Sequence, residues 1–122
     1  MSNILIVDDS NAIRQMVGLT LRNAGFSVEE AEDGDVALGM AQRNGESYEL
    51  VITDVNMPNM DGITLVRELR DLREFQYKPI LVLTTEFSDE KKQQGKDAGA
   101  TGWLVKPFDP EQLVGVVNKV LG

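Results

Sequence analysis

Short apolar runs recur along the chain and are separated by longer amphipathic stretches. Four of the runs are continuous and occupy residues 4–7, 50–52, 80–83 and 103–105. Continuous apolar runs of this length are typical of strands that are covered on both faces of a sheet. A fifth run, residues 26–31, alternates between apolar and polar positions, which predicts an edge strand.

Helical spacing of apolar residues fills three of the intervals around these runs. Positions three and four residues apart extend from Ile13 to Ala24, and Gly25 follows where a C-cap belongs. The same spacing joins a second and a third set of residues: Leu65, Val66, Leu69 and Leu72, then Leu113, Val116, Val117, Val120 and Leu121. Each set predicts one amphipathic helix.

The last of these helices carries a start signal, and two further helices are predicted from weaker patterns. Asp109 is its N-cap, with Pro110 at the first position and Gln112 closing a capping box. Residues 35–43 predict a short helix. Residues 88–98 are polar almost throughout, with acids first and lysines after them, which suits the helix dipole. A helix this polar either lies in solvent or meets a partner.

Five strands that alternate with five helices predict a three-layer α/β domain, doubly wound around a parallel sheet. A chain of 122 residues suits one domain, and no repeat or linker interrupts it. The last helix ends at Leu121, so we expect residues 1–122 to form one stand-alone domain with no effector domain.

Composition narrows the chemistry that this domain can perform. The net charge of −8 disfavours binding to nucleic acid or to anionic lipid. The absence of Cys and His excludes thiol catalysis, imidazole catalysis and the metal sites that these residues form. No apolar stretch approaches the roughly 20 residues that span a bilayer, and the first residues lack a basic signal start. We therefore expect a cytoplasmic protein without membrane insertion.

Polar residues follow four of the predicted strands. Asp8 and Asp9 follow the first, Asp54 the third, Thr84 ends the fourth, and Lys106 follows the fifth. In a parallel sheet all of these positions lie at the carboxyl edge, where open α/β folds bind their ligands. The sequence therefore predicts that three acids, a hydroxyl and a lysine converge there.

Electrostatics indicates what such a site requires. Two carboxylates about 5 Å apart repel by roughly 3 kcal/mol at an effective dielectric constant near 20. The three acids carry three negative charges and Lys106 returns one positive charge, which leaves an excess that a divalent cation would neutralise. Oxygen ligands without His or Cys favour a hard ion, and the sparse carboxylate set suits Mg²⁺.

The same residues indicate a reaction. Asp54 lies on the predicted central strand, between the acid pair and Lys106, where its carboxylate can attack phosphorus to form an acyl phosphate. Phosphorylation would change the charge of the Asp54 side chain from −1 to roughly −2. Because the site would then hold more negative charge, the reaction should depend strictly on the divalent ion. Lys106 and the Thr84 hydroxyl would bind phosphoryl oxygens.

These residues also match the motifs of a known family. The segments ILIVDD at 4–9, DVNMPNMDG at 54–62 and KPF at 106–108, together with Thr84, resemble the receiver domain of two-component response regulators. The resemblance covers the whole chain and is greatest to the free-standing, CheY-like chemotaxis members. It implies a flavodoxin-like fold with strand order 2-1-3-4-5.

The resemblance implies a role for each acid. Asp54 would be the phosphoacceptor, and its donor would be a phosphohistidine on a CheA-like sensor histidine kinase. Mg²⁺ would be bound by Asp9, Asp54 and the backbone carbonyl of Asn56, with Asp8 contributing through water. Lys106 would bridge the phosphoryl oxygens, and the Lys106–Pro107 peptide bond would be cis.

The resemblance also implies a switch. Thr84 would move toward the phosphoryl group and an aromatic residue on the fifth strand would turn inward. That residue is Trp103, where the family usually has Tyr or Phe; a simple core role for Trp103 stays open. Asn56 and Glu86 occupy the positions that tune self-dephosphorylation. The polar segment 87–98 belongs to the family's output face, and whether it docks on a target or is simply solvated also stays open.

The function that follows is a monomeric signalling module rather than an enzyme acting on other substrates. It would catalyse its own phosphorylation and dephosphorylation and bind a target such as a flagellar motor switch protein, with a phosphatase as a further partner. Three alternatives remain. The first is a phosphate sink for a shared kinase. The second is a Mg²⁺-dependent aspartyl-phosphate phosphatase, which would want an acid at Asn56. The third is a flavodoxin-like cofactor binder, whose phosphate Asp8 and Asp9 would repel.

Overall fold

A computed structural model of the protein describes residues 2–122 and contains one parallel sheet in that range. The sheet order is β2-β1-β3-β4-β5, and every neighbouring pair of strands is parallel. The strands are β1 (Asn3–Val7), β2 (Ser27–Ala31), β3 (Leu50–Thr53), β4 (Ile80–Thr84) and β5 (Gly102–Val105). The predicted doubly wound architecture, its strand order and the edge position of β2 are confirmed.

Five α-helices connect or follow these strands within the same range. They are α1 (Asn11–Asn23), α2 (Gly34–Asn44), α3 (Gly62–Arg70), α4 (Asp89–Ala98) and α5 (Pro110–Leu121). Each begins after a residue whose side chain accepts a backbone N–H of the first turn: Ser10, Asp33, Asp61, Ser88 and Asp109. These caps satisfy amide groups that have no partner inside the helix. The chain therefore enters each helix at a fixed position relative to the sheet.

Successive residues of the central strands face opposite layers, which explains why their apolar runs are continuous. In β1, Ile4 and Ile6 pack in one fully apolar cluster with α1 and α5. Leu5 and Val7 pack in the other cluster with α2, α3 and Ala98 of α4. A strand with both faces buried needs an apolar side chain at nearly every position.

Two helix ends differ from the sequence prediction. Helix α3 ends at Arg70, and Leu72 precedes a short 3₁₀ turn (Arg73–Phe75) that buries Phe75 completely. At the start of α5, Asp109 accepts the amide of Glu111 at 3.0 Å, one position before the amide that the predicted capping box through Gln112 would use. Because Pro110 has no N–H, the amide of Glu111 is the first one in this helix that the cap can bind.

Helix α4 packs through small residues, which explains how so polar a segment can still cover the sheet. Gly95 and Ala98 are its buried residues. The Trp103 ring lies so close to Gly95 that a Cβ there would come within 2.5 Å of Cζ3. The glycine is therefore needed for the indole to pack this closely against the helix.

No helix between residues 2 and 122 combines the length and the apolar character needed to cross a membrane.

The guanidinium of Arg70 connects three elements at the edge of the sheet opposite the strand ends that carry the acids. Its Nε and Nη2 donate to the carbonyl of Gly99 at 3.1 and 2.8 Å, and its Nη1 donates to the carbonyls of Phe75 and Lys78. Burial lowers the pKa of Arg70. One side chain thus joins the end of α3 to the end of α4 and to the approach to β4.

Replacement of Arg70 by Ala should lower the free energy of unfolding by about 1–3 kcal/mol, because partly buried carbonyls would lose their donor. Arg67→Ala, an exposed position on the same helix, is the matched control and should change stability by less than about 0.5 kcal/mol. Urea unfolding followed by circular dichroism measures both. Equal losses for the two variants would show that the Arg70 contacts do not contribute to stability.

Candidate functional site

The centre of the site is a lysine held between two carboxylates. The Nζ atom of Lys106 lies 2.7 Å from Oδ2 of Asp8 and 2.9 Å from Oδ2 of Asp54. The side chains of all three residues are at most one-tenth exposed. Residues from the ends of β1, β3 and β5, far apart in sequence, therefore form one buried ionic contact.

Asp9 completes an acidic cluster and opens it to solvent. Carboxylate oxygens of Asp8, Asp9 and Asp54 lie within 4.8 Å of one another, and among residues 2–122 this is the group suited to hold a metal ion. Asp8 and Asp54 are buried, whereas Asp9 is exposed. An ion could therefore enter from the Asp9 side and keep part of its water shell, as Mg²⁺ prefers.

Hydrogen bonds orient the two buried carboxylates. Oδ1 of Asp8 accepts the amide of Ser10 at 2.9 Å, and Oδ1 of Asp54 accepts the amide of Val55 at 2.6 Å. In each case Oδ2 is the atom that contacts Lys106. Both carboxylates are thus fixed by the backbone on one side and by the ammonium group on the other.

Burial and charge compete in setting the pKa values of this contact. Loss of solvent raises the pKa of Asp8 more than its bonds to Lys106 and Ser10 lower it. Burial alone would lower the pKa of Lys106, but the hydrogen bonds and charges of Asp8 and Asp54 outweigh it and raise that pKa. Lys106 is therefore a firmly protonated cation at neutral pH.

Two backbone features lie next to Lys106. The Lys106–Pro107 peptide bond is cis, the geometry that the family resemblance implies. The amide of Lys106 also donates to the carbonyl of Thr84 at 2.8 Å. This bond fixes the exit of β5 beside the end of β4.

The loop after Asp54 is held by contacts that sequence reasoning did not find. Gly62 packs so tightly that a Cβ would lie 1.9 Å from the carbonyl oxygen of Asp54, so a side chain cannot be accommodated there. Asn59 has a φ of 71° and donates from Nδ2 to Oδ2 of Asp33 at 3.0 Å. The bonds that Asp33 accepts, first from the amide of Val36 and then from Asn59, lower its pKa. The only sequence signal was Asn, which tolerates positive φ better than most residues.

Glu86 contacts three of the residues predicted to act in the site. Its side chain accepts Nδ2 of Asn56 at 3.3 Å, and its amide donates to the Thr84 hydroxyl at 3.2 Å. Its carbonyl accepts Nε1 of Trp103 at 3.0 Å. Thr84 is fully buried, whereas Trp103 is partly buried. The predicted tuning pair, Asn56 and Glu86, is therefore in direct contact and connected to both predicted switch residues.

The contacts of Arg14 were also missed by sequence reasoning. Arg14, in the first turn of α1, donates to the carbonyl of Asp8 and to the carboxylate of Glu30. Its position five residues after Asp9 is ordinary for a solvated helix surface, so the sequence alone gave no signal of this contact.

Several known proteins are similar to this chain in sequence and in fold. The response regulator receiver domain matches residues 4–118 of the chain. The chemotaxis protein CheY-3 of Vibrio cholerae is 38% identical over 118 residues, which cover 96% of this chain and 89% of the relative. The crystallised chemotaxis protein CheY4 of Vibrio cholerae is 52% identical, with a TM-score of 0.93 and 98% of both chains covered.

A further solved structure bears on the acidic cluster. It is the receiver domain of a sensor histidine kinase from Pseudomonas aeruginosa, with a magnesium ion coordinated in its active-site cleft. It is 27% identical to this chain, with a TM-score of 0.91, 99% of this chain covered and 98% of the other.

Asp8→Asn should make the metal-free chain more stable than the parent at neutral pH. Because burial raises the pKa of Asp8 above 3.8, the folded chain binds this proton more tightly than the unfolded chain. The stability that this proton contributes is fully present below pH 3.8 and is lost as pH rises through the raised pKa. The advantage of the variant should therefore grow between pH 4 and pH 7.

Urea unfolding in EDTA at several pH values measures this advantage. Asp9→Asn is the control, because it removes one negative charge from the same turn without removing a buried carboxylate. An advantage of Asp8→Asn that stays constant or shrinks between pH 4 and pH 7 would contradict the prediction.

Proposed function

The chain belongs to the response regulator receiver domain family, and we propose that it is a chemotaxis regulator switched by phosphorylation of Asp54. The observation that carries the proposal is the contact of Lys106 with Asp8 and Asp54 beside the open carboxylate of Asp9. This arrangement offers a nucleophile, a fixed cation and ligands for a divalent ion at one point on the sheet edge.

The proposed reaction is phosphoryl transfer to Asp54. One carboxylate oxygen of Asp54 forms a bond to phosphorus while the bond from phosphorus to an imidazole nitrogen of the donor breaks. The electron pair of the broken bond stays on that nitrogen. Because this chain contains no His, the imidazole has to come from another protein, for which a CheA-like sensor histidine kinase is the proposed donor.

Residues at the site would hold Mg²⁺ for this step. The carboxylates of Asp9 and Asp54 and the carbonyl of Asn56 are the proposed ligands, with Asp8 acting through water. When bound, the ion would neutralise negative charge on the phosphoryl oxygens. The donor set fits it, since carboxylate and carbonyl oxygens are the ligands that Mg²⁺ takes in proteins.

Lys106 would supply the second positive charge. Its ammonium group already contacts Oδ2 of Asp54, so a short movement suffices for it to bind an oxygen of the transferred group. It is nine-tenths buried, and a charge-assisted bond is stronger where water is excluded. Lys106 would therefore stabilise charge both as the phosphoryl group arrives and after it is bound.

Glu86 offers a route from the phosphoryl group to the surface. Movement of the Thr84 hydroxyl toward that group would break the bond it accepts from the Glu86 amide. The Glu86 carbonyl holds the Trp103 indole, so release of this loop would free Trp103 to turn. Phe87, which precedes α4 and is 72% exposed, and Val105, the last residue of β5 and 41% exposed, define what we call the α4–β5 surface. We expect a target such as a flagellar motor switch protein to bind there.

Loss of the phosphoryl group would be governed by the same loop. The Asn56 amide and the Glu86 carboxylate face each other across the exposed side of the site, where an attacking water would enter. The proposal includes self-dephosphorylation at a rate set by this pair, with a phosphatase as an additional partner. It also includes a monomeric regulator in the cytoplasm, a compartment that the lack of Cys suits.

Incubation with acetyl phosphate and Mg²⁺ should add one phosphoryl group to the chain, detected by intact-protein mass spectrometry. Asp54→Asn or addition of EDTA should abolish the added mass, because the nucleophile or the proposed ion is then missing. Asp61→Asn is the matched control: it changes an exposed carboxylate seven residues later, and Asn caps a helix about as well as Asp. Labelling that survives Asp54→Asn would overturn the proposed site.

Beryllium fluoride with Mg²⁺, a mimic of the phosphoryl group on Asp54, should change the fluorescence of Trp103, the only Trp in the chain. The change is expected because the bonds of Glu86 join the indole to Thr84. An unchanged spectrum would count against Trp103 as part of the switch.

Two glycine variants test the packing of Gly95 against the Trp103 indole without any ligand. Gly95→Ala should itself shift the emission, since a Cβ would collide with the indole. Gly115→Ala is its matched control, because a Cβ there meets no atom within 4 Å.

A further inference from the structure

We propose that Arg14 is a positioning residue for the acidic site, which it holds through the backbone of Asp8 while Glu30 holds the guanidinium. The inference rests on the Mg²⁺ site of the proposed function. It assigns to Arg14 and Glu30 the task of fixing the turn from which Asp8 and Asp9 project.

The contacts of Arg14 reach three separate parts of the chain. Nη1 donates to the carbonyl oxygen of Asp8, Nε donates to Oε1 of Glu30 at 3.3 Å, and Nη2 donates to Oδ1 of Asn11 at 3.3 Å. The Arg14 side chain is only 14% exposed. A largely buried arginine with three hydrogen-bond partners has a fixed conformation, unlike a solvated side chain on a helix surface.

The carbonyl of Asp8 needs such a donor. The β1–β2 ladder ends at the pair Val7 and Ala31, and the last bond across it runs from the Asp8 amide to the Ala31 carbonyl at 3.2 Å. Beyond this point the chain turns into α1, and the carbonyl of Asp8 is bound by the guanidinium instead. Arg14 therefore sets the plane of the peptide that joins Asp8 to Asp9.

Glu30 fixes the guanidinium from the neighbouring strand. It lies on β2, and its side chain is 29% exposed. Its second oxygen is 3.6 Å from Nη2 of Arg22, which lies on the same helix as Arg14 but is 50% exposed. Arg22 therefore shares the acid partner of Arg14 without the contact to Asp8.

Arginine suits this set of contacts because its Nε, Nη1 and Nη2 donate to three different acceptors from one rigid plane. A lysine has one nitrogen and would have to bring all of these acceptors to a single point. Lys at position 14 would keep the charge and lose the geometry. The variant Arg14→Lys therefore distinguishes a positioning role from an effect of charge alone.

The two effects also have opposite signs. Removal of a nearby positive charge reduces the repulsion of a cation, so an effect of charge alone would strengthen Mg²⁺ binding in Arg14→Ala. Loss of positioning would weaken it. Residues that hold metal ligands in place typically contribute at least about tenfold to metal affinity.

The experiment measures the dissociation constant of Mg²⁺ by isothermal titration calorimetry, with folding of each variant checked by circular dichroism. Arg14→Ala and Arg14→Lys should each bind Mg²⁺ about tenfold more weakly than the parent. Arg22→Ala, the matched control, should bind as the parent does or slightly more tightly. Glu30→Gln should weaken binding in the parent and have no further effect in Arg14→Ala, since Glu30 acts through Arg14.

Three other outcomes would contradict the proposal. Binding by Arg14→Lys that equals or exceeds that of the parent would overturn the positioning role, even if Arg14→Ala failed to fold. Equal weakening by Arg22→Ala would overturn it as well. Failure of the parent chain to bind Mg²⁺ would overturn the proposed function itself, and this inference with it.

Discussion

The ion pair between Lys106 and the carboxylates of Asp8 and Asp54 is the constraint on which the remainder of the site depends. A buried charge is tolerated only when it is paired, so the ends of β1, β3 and β5 have to meet around the ammonium group. Because β4 lies between β3 and β5, the lysine side chain has to cross the end of β4, where Thr84 is buried. The sheet order and the chemistry of the site are therefore two aspects of one geometrical requirement.

Much of this arrangement was predictable from the sequence because it follows from the directions of the strands. Continuous apolar runs indicated buried parallel strands, and the acids and the lysine at their ends had to share one edge. Contacts from side chains to backbone atoms were not predictable in this way. The bonds of Arg14 to the Asp8 carbonyl and of Asn59 to Asp33 depend on how individual loops are folded. No periodic pattern records the path of a loop. Asp109 was predicted as an N-cap, but the sequence did not indicate which amide of the first turn it would bind.

The site also shows how one loop can serve two processes that have different requirements. The side chain of Glu86 contacts exposed Asn56, two residues after Asp54, whereas its backbone amide and carbonyl contact Thr84 and Trp103. Chemistry at Asp54, the proposed phosphoacceptor, can therefore be adjusted through the side chain at this position. The backbone connection toward the α4–β5 surface does not depend on which side chain is present.

Helix α4 faces the sheet with Gly95 and Ala98 and carries charged and amide side chains on nearly all of its remaining surface. Substitutions on that outer surface would cost little stability, since hardly any of it belongs to the core. A target-binding surface proposed to include this helix can therefore diverge between duplicated copies of such a gene while the acidic cluster and its lysine stay unchanged. A cell could in this way evolve regulators that share a phosphoryl donor and answer to different partners.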